Sequence, residues 1–105
     1  MSNWIINYTK NAYSELDAIY KYIAEDLNVP NTASKQIKRI TSAIDSLEEM
    51  PLRNPLYDKE PWHSLGLRKM LVDNYIVFYF PNETNNEIVI MHIFYSGRNI
   101  LDILK

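Results

Sequence analysis

Apolar positions in the first half of the chain recur at steps of three and four residues. One stripe runs over residues 12–27 and a second over residues 33–47, and this spacing is that of an amphipathic helix. The members are Ala12, Leu16, Ile19, Tyr20, Ile23 and Leu27, then Ala33, Ile37, Ile40, Ile44 and Leu47. Thr9 or Asn11 can cap the first helix and Asn31 the second, with Pro30 as the break between them. The pattern predicts an antiparallel helical hairpin whose apolar stripe lies on a sheet.

Short β-branched and aromatic runs replace the helical period between Leu65 and Arg98. Turn residues at 73–74 and at 81–86 separate three such runs, which is typical of an antiparallel meander. Residues 4–8 form a further apolar run, and residues 99–105 fit a final helix with its apolar side chains facing inward: Ile100, Ile103 and Leu104. The predicted fold is α+β, an N-terminal strand and a helical hairpin packed on an antiparallel sheet, in the order β-α-α-β-β-β-α.

A two-residue turn at residues 73–74 would fix which side chains share a face of the sheet. One face then carries the pairs Val72–Tyr75, Met70–Val77 and Arg68–Tyr79. We assign the other, more uniformly apolar face to the core: Leu67, Lys69, Leu71, Ile76, Phe78 and Phe80. The face with Arg68 and Tyr79 is the predicted working face. A shift of the strand register by one residue would exchange the two faces.

Residues 51–62 contain three prolines and show no period, which predicts a loop. It is either a connector that crosses an edge of the domain or the frame of a binding surface. The second alternative would use Arg53, Tyr57, Lys59, Trp62 and His63.

Length and composition limit the class of protein. The 105 residues suffice for one domain, residues 1–105, and the absence of cysteine excludes disulfides and thiolate metal sites. Residues 1–3 lead directly into the first apolar run, so we expect neither a signal peptide nor a membrane span, and a cytoplasmic location. The net charge of −2 argues against direct non-specific binding to DNA.

Few side chains offer catalytic or metal chemistry. His63 and His92 are the only histidines and no HExxH motif accompanies them, so we expect neither a metal nor another cofactor. Ser64 and Ser96 have no evident base and orienting residue, which argues against a nucleophilic triad.

Cations and aromatic residues of the meander are the remaining candidates. Arg68, Lys69 and Arg98 can bind a phosphodiester or an acidic partner, or they can pair with carboxylates on the surface. Tyr75 and Tyr79 can stack nucleic-acid bases beside arginine, or they can form a solvent-side ladder across the strands.

The ordered segments of the chain resemble the RelE/ParE toxins of bacterial type II toxin–antitoxin modules. The matching segments are LEEMP, PWHSLGLRKM, NYIVFYF and IVIMHIFYSGRNI, and the likeness covers essentially the whole chain. The resemblance implies a small cytoplasmic toxin of the plasmid-stabilisation type. Such a toxin arrests growth and is held inactive by a cognate antitoxin protein that wraps over it.

The resemblance implies one of two targets. RelE-like members cut mRNA on the ribosome without a metal, and they have an arginine where this chain has Ile76. ParE-like members inhibit DNA gyrase and are similar to this chain in GLR, NYIVFY and GR. Ile76 and the charge balance favour gyrase inhibition, with a ribosome-dependent mRNA endoribonuclease (an mRNA interferase) as the alternative and an inactive interaction module as a third. The predicted catalytic or target-binding residues are Arg68 and Arg98, supported by Lys69 and Tyr79.

Overall fold

A computed structural model describes residues 4–104 of the chain. Met1–Asn3, on which the expectation of no leader partly rests, and Lys105, the end of the predicted last helix, lie outside the described residues. The order of strands and main helices is the predicted one, with one short extra helix before the meander. The elements are β1 (Ile5–Tyr8), α1 (Lys10–Lys21), α2 (Pro30–Asp45), α3 (Trp62–Leu65), β2 (Arg68–Val72), β3 (Tyr75–Asn82), β4 (Glu87–Tyr95) and α4 (Ile100–Ile103).

The sheet has the strand order β1-β4-β3-β2, and its meander has the predicted register. Arg68 pairs with Tyr79, and Val72 pairs with Tyr75 across a two-residue turn. Asp73 has a φ of 55° in this turn, a conformation that aspartate and asparagine tolerate better than most residues. Its carboxylate also accepts a hydrogen bond from Arg39 of α2, so the turn is attached to the helical layer.

The first strand makes the sheet mixed, because β1 pairs in parallel with β4. This pairing ends at Tyr8 opposite Ile90, where the chain turns into α1, although β4 continues to Tyr95. A bulge at Met91 lies just past that point, since Phe78 is opposite His92 while Tyr79 is opposite Ile90. The far end of β4 therefore has a strand neighbour on one side only.

The helical hairpin forms as the apolar stripes predict. The Thr9 hydroxyl accepts from the backbone N–H of Ala12 and caps α1, as predicted, and a π-helical turn over Tyr22–Asp26 continues that helix. The prediction that Asn31 caps α2 is wrong, because α2 begins with Pro30 itself. Proline at a first helical position gives up no hydrogen bond and already has a helical φ, so it starts this helix rather than only preceding it.

The helices cover the face of the sheet that was predicted to be the working face. Met70, Val77 and Tyr79 are buried in one cluster with residues of the hairpin: Ala12, Ile40, Ile44 and Leu47. The assignment of the main core to the opposite face is therefore wrong. The polar ends of Arg68 and Tyr79 on this face reach carbonyl groups of the connecting loop, so both long side chains are compatible with burial.

The opposite face carries a second, smaller core. Ile76, Phe78 and Phe94 are buried there with Tyr57, Leu67 and Leu104, and Ile100 and Ile103 of α4 pack against them. The inward direction of these three terminal residues is confirmed. Both faces of the sheet are therefore covered at least in part, which explains why apolar content alone did not identify the helix-bearing face.

The connector before β2 follows the edge of the sheet, as the first of its two interpretations predicts. The backbone N–H of Lys69 donates to the carbonyl of Pro55, and that of Tyr57 donates to the carbonyl of Leu67. Tyr57 and Trp62 of the same segment pack in the second core. Within residues 4–104, no helix combines the length and the apolar run needed to cross a membrane.

Candidate functional site

Arg68 and Tyr79 lie side by side and hold the start of the connector. The Arg68 guanidinium donates to the carbonyls of Asn54 at 2.6 Å and of Leu52 at 3.2 Å. The Tyr79 hydroxyl donates to the carbonyl of Pro51 at 2.9 Å and accepts from the Asn54 amide at 3.1 Å. Tyr79 is fully buried, and its burial raises the pKa of the hydroxyl. These contacts bind the polar ends of both side chains to the protein's own backbone.

Lys69 lies next to Arg68 but on the opposite face of the sheet. It pairs with Phe78, which belongs to the second core, and its side chain is half-buried. Among residues 4–104 its ammonium group has no ion-pair partner. The structure thus separates Lys69 and Arg68 by the thickness of the sheet.

Arg98 lies at the other end of the meander, in the turn after β4. The Arg68–Tyr79 pair is four residues along the strand from the Val72–Tyr75 pair, a separation of about 13 Å. Tyr75 pairs in turn with Tyr95, and Arg98 follows Tyr95. The four predicted residues therefore do not converge, because only Arg68 and Tyr79 are neighbours.

A groove of about 670 Å³ opens beside Arg98, between the helical hairpin and the far end of β4. Its walls come from α1, from the π-helical turn and from the last residues of the sheet: Glu15, Ala18, Ile19, Tyr22, Tyr75, Ile93, Phe94, Tyr95 and Arg98. This volume lies within the range of small-molecule pockets. We call it the β4 groove.

Three tyrosines surround the mouth of the β4 groove. The rings of Tyr75 and Tyr95 meet edge to face with centroids 6.2 Å apart, and burial together with the Tyr95 and Tyr22 hydroxyls raises the pKa of Tyr75. A side-chain carbon built on Gly97 would lie 2.4 Å from the Tyr95 ring. Glycine at this position therefore lets the turn rest directly on that ring.

Glu15 lines the β4 groove and contacts β4. One of its carboxylate oxygens accepts from the backbone N–H of Ile93 at 2.9 Å, and the other lies 3.0 Å from Nδ1 of His92. Both side chains are largely buried. Glu15 and His92 thus attach α1 to β4 just beyond the bulge, where β1 no longer pairs with β4.

The arrangement offers one exposed cation, aromatic rings and backbone edge atoms in one concave site. Among residues 4–104, the Arg98 guanidinium has no ion pair with a carboxylate, and no group of three or more metal-binding side chains occurs. Sequence reasoning singled out Arg98 and Tyr75 but missed Glu15, Tyr22 and Tyr95. A stripe of apolar residues on α1 does not reveal which polar neighbours reach β4.

The chain is similar to known toxins over nearly its whole length. Residues 6–100 match the model of a family described as ParE toxin of the type II toxin–antitoxin system parDE. No curated protein sequence is similar enough to count as a match.

Solved structures of such toxins share the fold. A chain of the chromosomal ParDE system from P. aeruginosa superposes with a TM-score of 0.73 at 22% identity, over 90% of this chain and 97% of that one. The RelE–RelB complex from Pyrococcus horikoshii gives a TM-score of 0.62 at 17% identity, over 94% of this chain and 100% of that one. The RelBE2 toxin–antitoxin complex from Mycobacterium tuberculosis gives a TM-score of 0.62 at 16% identity, over 88% of this chain and 96% of that one.

These structural likenesses, at low identity, support the fold. The family match includes the two predicted arginines and every residue that lines the β4 groove. The chain therefore belongs to the ParE toxin family of type II toxin–antitoxin systems.

Proposed function

We propose that the chain is a toxin that arrests growth in the cytoplasm by inhibiting DNA gyrase, and that a cognate antitoxin protein neutralises it. The observation that carries the proposal is the match of residues 6–100 to the ParE family model. Relatives solved as toxin–antitoxin complexes support the partner.

The contacts of the predicted residues also favour inhibition by binding over cleavage of RNA. A nuclease needs groups that reach the reacting phosphate together. Here the Arg68 guanidinium and the Tyr79 hydroxyl are bound to loop carbonyls, and Ile76, where RelE-like toxins have an arginine, is buried in the second core. Lys69 and Arg98 are the two predicted residues whose charges are available to a target.

A supercoiling assay tests the proposal directly. Purified chain should inhibit supercoiling by gyrase, and on induction DNA synthesis should stop before protein synthesis. Arg98→Ala should weaken inhibition, whereas Lys38→Ala, an exposed cation on α2, is the matched control. Full supercoiling at a large excess of folded chain would refute gyrase as the target.

An mRNA endoribonuclease is the second candidate, and the β4 groove is the observation in its favour. Arginine beside three tyrosines can hold a phosphate and stack bases. Primer extension after induction would then show codon-phased cuts in translated mRNA that disappear with Arg98→Ala. Absence of cuts during growth arrest excludes this activity, and normal growth without antitoxin would indicate the inactive interaction module instead.

A further inference from the structure

The far end of β4 directs backbone groups into the β4 groove. The N–H of Ser96 donates to the carbonyl of Asn74, on the side of β3. In an antiparallel ladder successive residues direct their amide groups to opposite sides. Phe94 therefore faces β3, whereas Ile93 and Tyr95 direct their N–H and C=O groups away from β3 and line the groove.

Two of these four outward groups already have partners. The N–H of Ile93 donates to Glu15, and the C=O of Tyr95 accepts from the N–H of Arg98 at 3.0 Å. The C=O of Ile93 and the N–H of Tyr95 have no partner among residues 4–104. One free acceptor and one free donor thus lie two residues apart on the same edge of the strand.

The free carbonyl of Ile93 is an acceptor in the interior of the protein. Ile93 is fully buried, and a buried acceptor without a hydrogen bond costs free energy. Tyr22 and Tyr95, which line the same groove, are more than half exposed, so their rings can change rotamer quickly and admit a ligand. A ligand that donates to Ile93 would satisfy a group that the described part of the chain leaves unpaired.

The order of the two free groups indicates which planar ligand fits. A residue on a parallel strand donates to one carbonyl and accepts from the N–H two residues further on, and Ile5 of β1 donates in this way to Asn86. The Watson–Crick edge of adenine offers the same order, with its amino group as donor and its ring nitrogen N1 as acceptor. The amino group would donate to Ile93, and N1 would accept from Tyr95.

The other walls of the groove fit the rest of a nucleotide. Tyrosine rings and the side chains of Ala18 and Ile19 offer surface for the faces of a purine. Arg98 is exposed and is the only basic side chain among the described residues that line the groove, and its guanidinium suits a phosphate. The Glu15 carboxylate, bonded beside Ile93, repels phosphate at that end. Charge therefore directs the base to Ile93 and the phosphate to Arg98.

We propose that the β4 groove binds a free adenine mononucleotide, whose base pairs with the backbone of Ile93 and Tyr95 and whose phosphate binds Arg98. Cytosine carries the same donor and acceptor, but the larger purine ring buries more surface against the tyrosines and the apolar walls. The inference depends neither on the target of the toxin nor on the antitoxin.

Titration of the full chain with matched nucleotides tests the base edge. Adenosine monophosphate should bind. Inosine monophosphate has the same size and phosphate but presents an acceptor and then a donor, so it should bind about tenfold or more weakly. Cytidine monophosphate should also bind more weakly than the adenine nucleotide. The Tyr95 amide should shift in NMR spectra and exchange more slowly with the adenine nucleotide only.

Variants test the phosphate end and the location of the site. Arg98→Ala should raise the Kd of adenosine monophosphate about tenfold and leave that of adenosine unchanged, because adenosine has no phosphate. Ala18 is an exposed wall of the groove, so Ala18→Trp should fill the groove and abolish binding. Ser42→Trp makes the same change on the outer side of α2 and should bind like wild type.

Several results would overturn the inference. One is failure of the folded wild-type chain to bind adenosine monophosphate at millimolar concentration. Others are equal affinity for the inosine or cytidine nucleotide, a Tyr95 amide that does not respond, and unchanged binding in Ala18→Trp. An equal effect of Arg98→Ala on adenosine would remove Arg98 as the phosphate site. Binding of an oligoadenylate but not of the mononucleotide would assign the groove to RNA instead.

Discussion

At the scale of single residues, Tyr79 illustrates a polar group whose role is structural. Its hydroxyl bridges Pro51 and Asn54 in a fully buried position. Tyr79→Phe leaves the Pro51 carbonyl without this donor and should lower the free energy of unfolding by about 1–2 kcal/mol, measured by urea denaturation. Tyr13→Phe, the control, removes a hydroxyl from an exposed ring and should change the free energy of unfolding little. If Tyr79→Phe abolishes toxicity at unchanged stability, Tyr79 contacts the target after all.

Tyr8 should make stability depend on alkaline pH. Burial, with smaller contributions from Asp45 and Tyr13, raises its pKa to about 12, whereas tyrosine in an unfolded chain has a pKa of about 10. Between these values the unfolded chain releases the proton first, so stability present below about pH 10 is lost as the pH rises towards 12. Urea midpoints should fall between about pH 9 and pH 11.5, and they should fall less in Tyr8→Phe. Equal slopes in the two proteins would contradict this assignment.

At the scale of elements, Glu15 substitutes for the strand that β4 lacks beyond the bulge. Glu15→Ala removes the acceptor of the Ile93 N–H and the partner of His92. It should lower the free energy of unfolding by about 1.5–3 kcal/mol. Glu15→Gln keeps a neutral acceptor and should cost less. Amide exchange at Ile93, measured by NMR, should accelerate in Glu15→Ala before exchange in β3 does. Uniform acceleration throughout the sheet would show that the contact is not local.

The sequence determines these elements more clearly than it determines their faces. The apolar stripes predict the helical hairpin, and the turn at Asp73 predicts the register of β2 with β3. Both predictions succeed because they depend on residues that are close in sequence. Which face the helices cover depends on contacts over long sequence separation, and here both faces are apolar enough to be buried. Arg68 and Tyr79 misled the assignment of the working face, because their hydrogen-bond partners lie in a loop that has no hydrophobic periodicity. The β4 groove was not predictable since it exists only where β1 stops and the bulge turns the β4 amides outward.

For the whole molecule, two cores of unequal size share one sheet. The larger core joins the helical hairpin to the sheet, whereas the smaller one depends on α4 and on the connector. Local opening of the smaller core should therefore cost less free energy than global unfolding, because fewer buried contacts hold it.

Two matched truncations of aliphatic side chains distinguish these cores. Ile40→Ala, at a fully buried position in the larger core, should lower the free energy of global unfolding by about 2–5 kcal/mol. Leu104→Ala, in the smaller core, should chiefly accelerate amide exchange in α4 and shift the urea midpoint less, since α4 can detach while the helical layer stays packed. Equal losses of global stability without faster exchange in α4 would mean that both faces unfold as one unit.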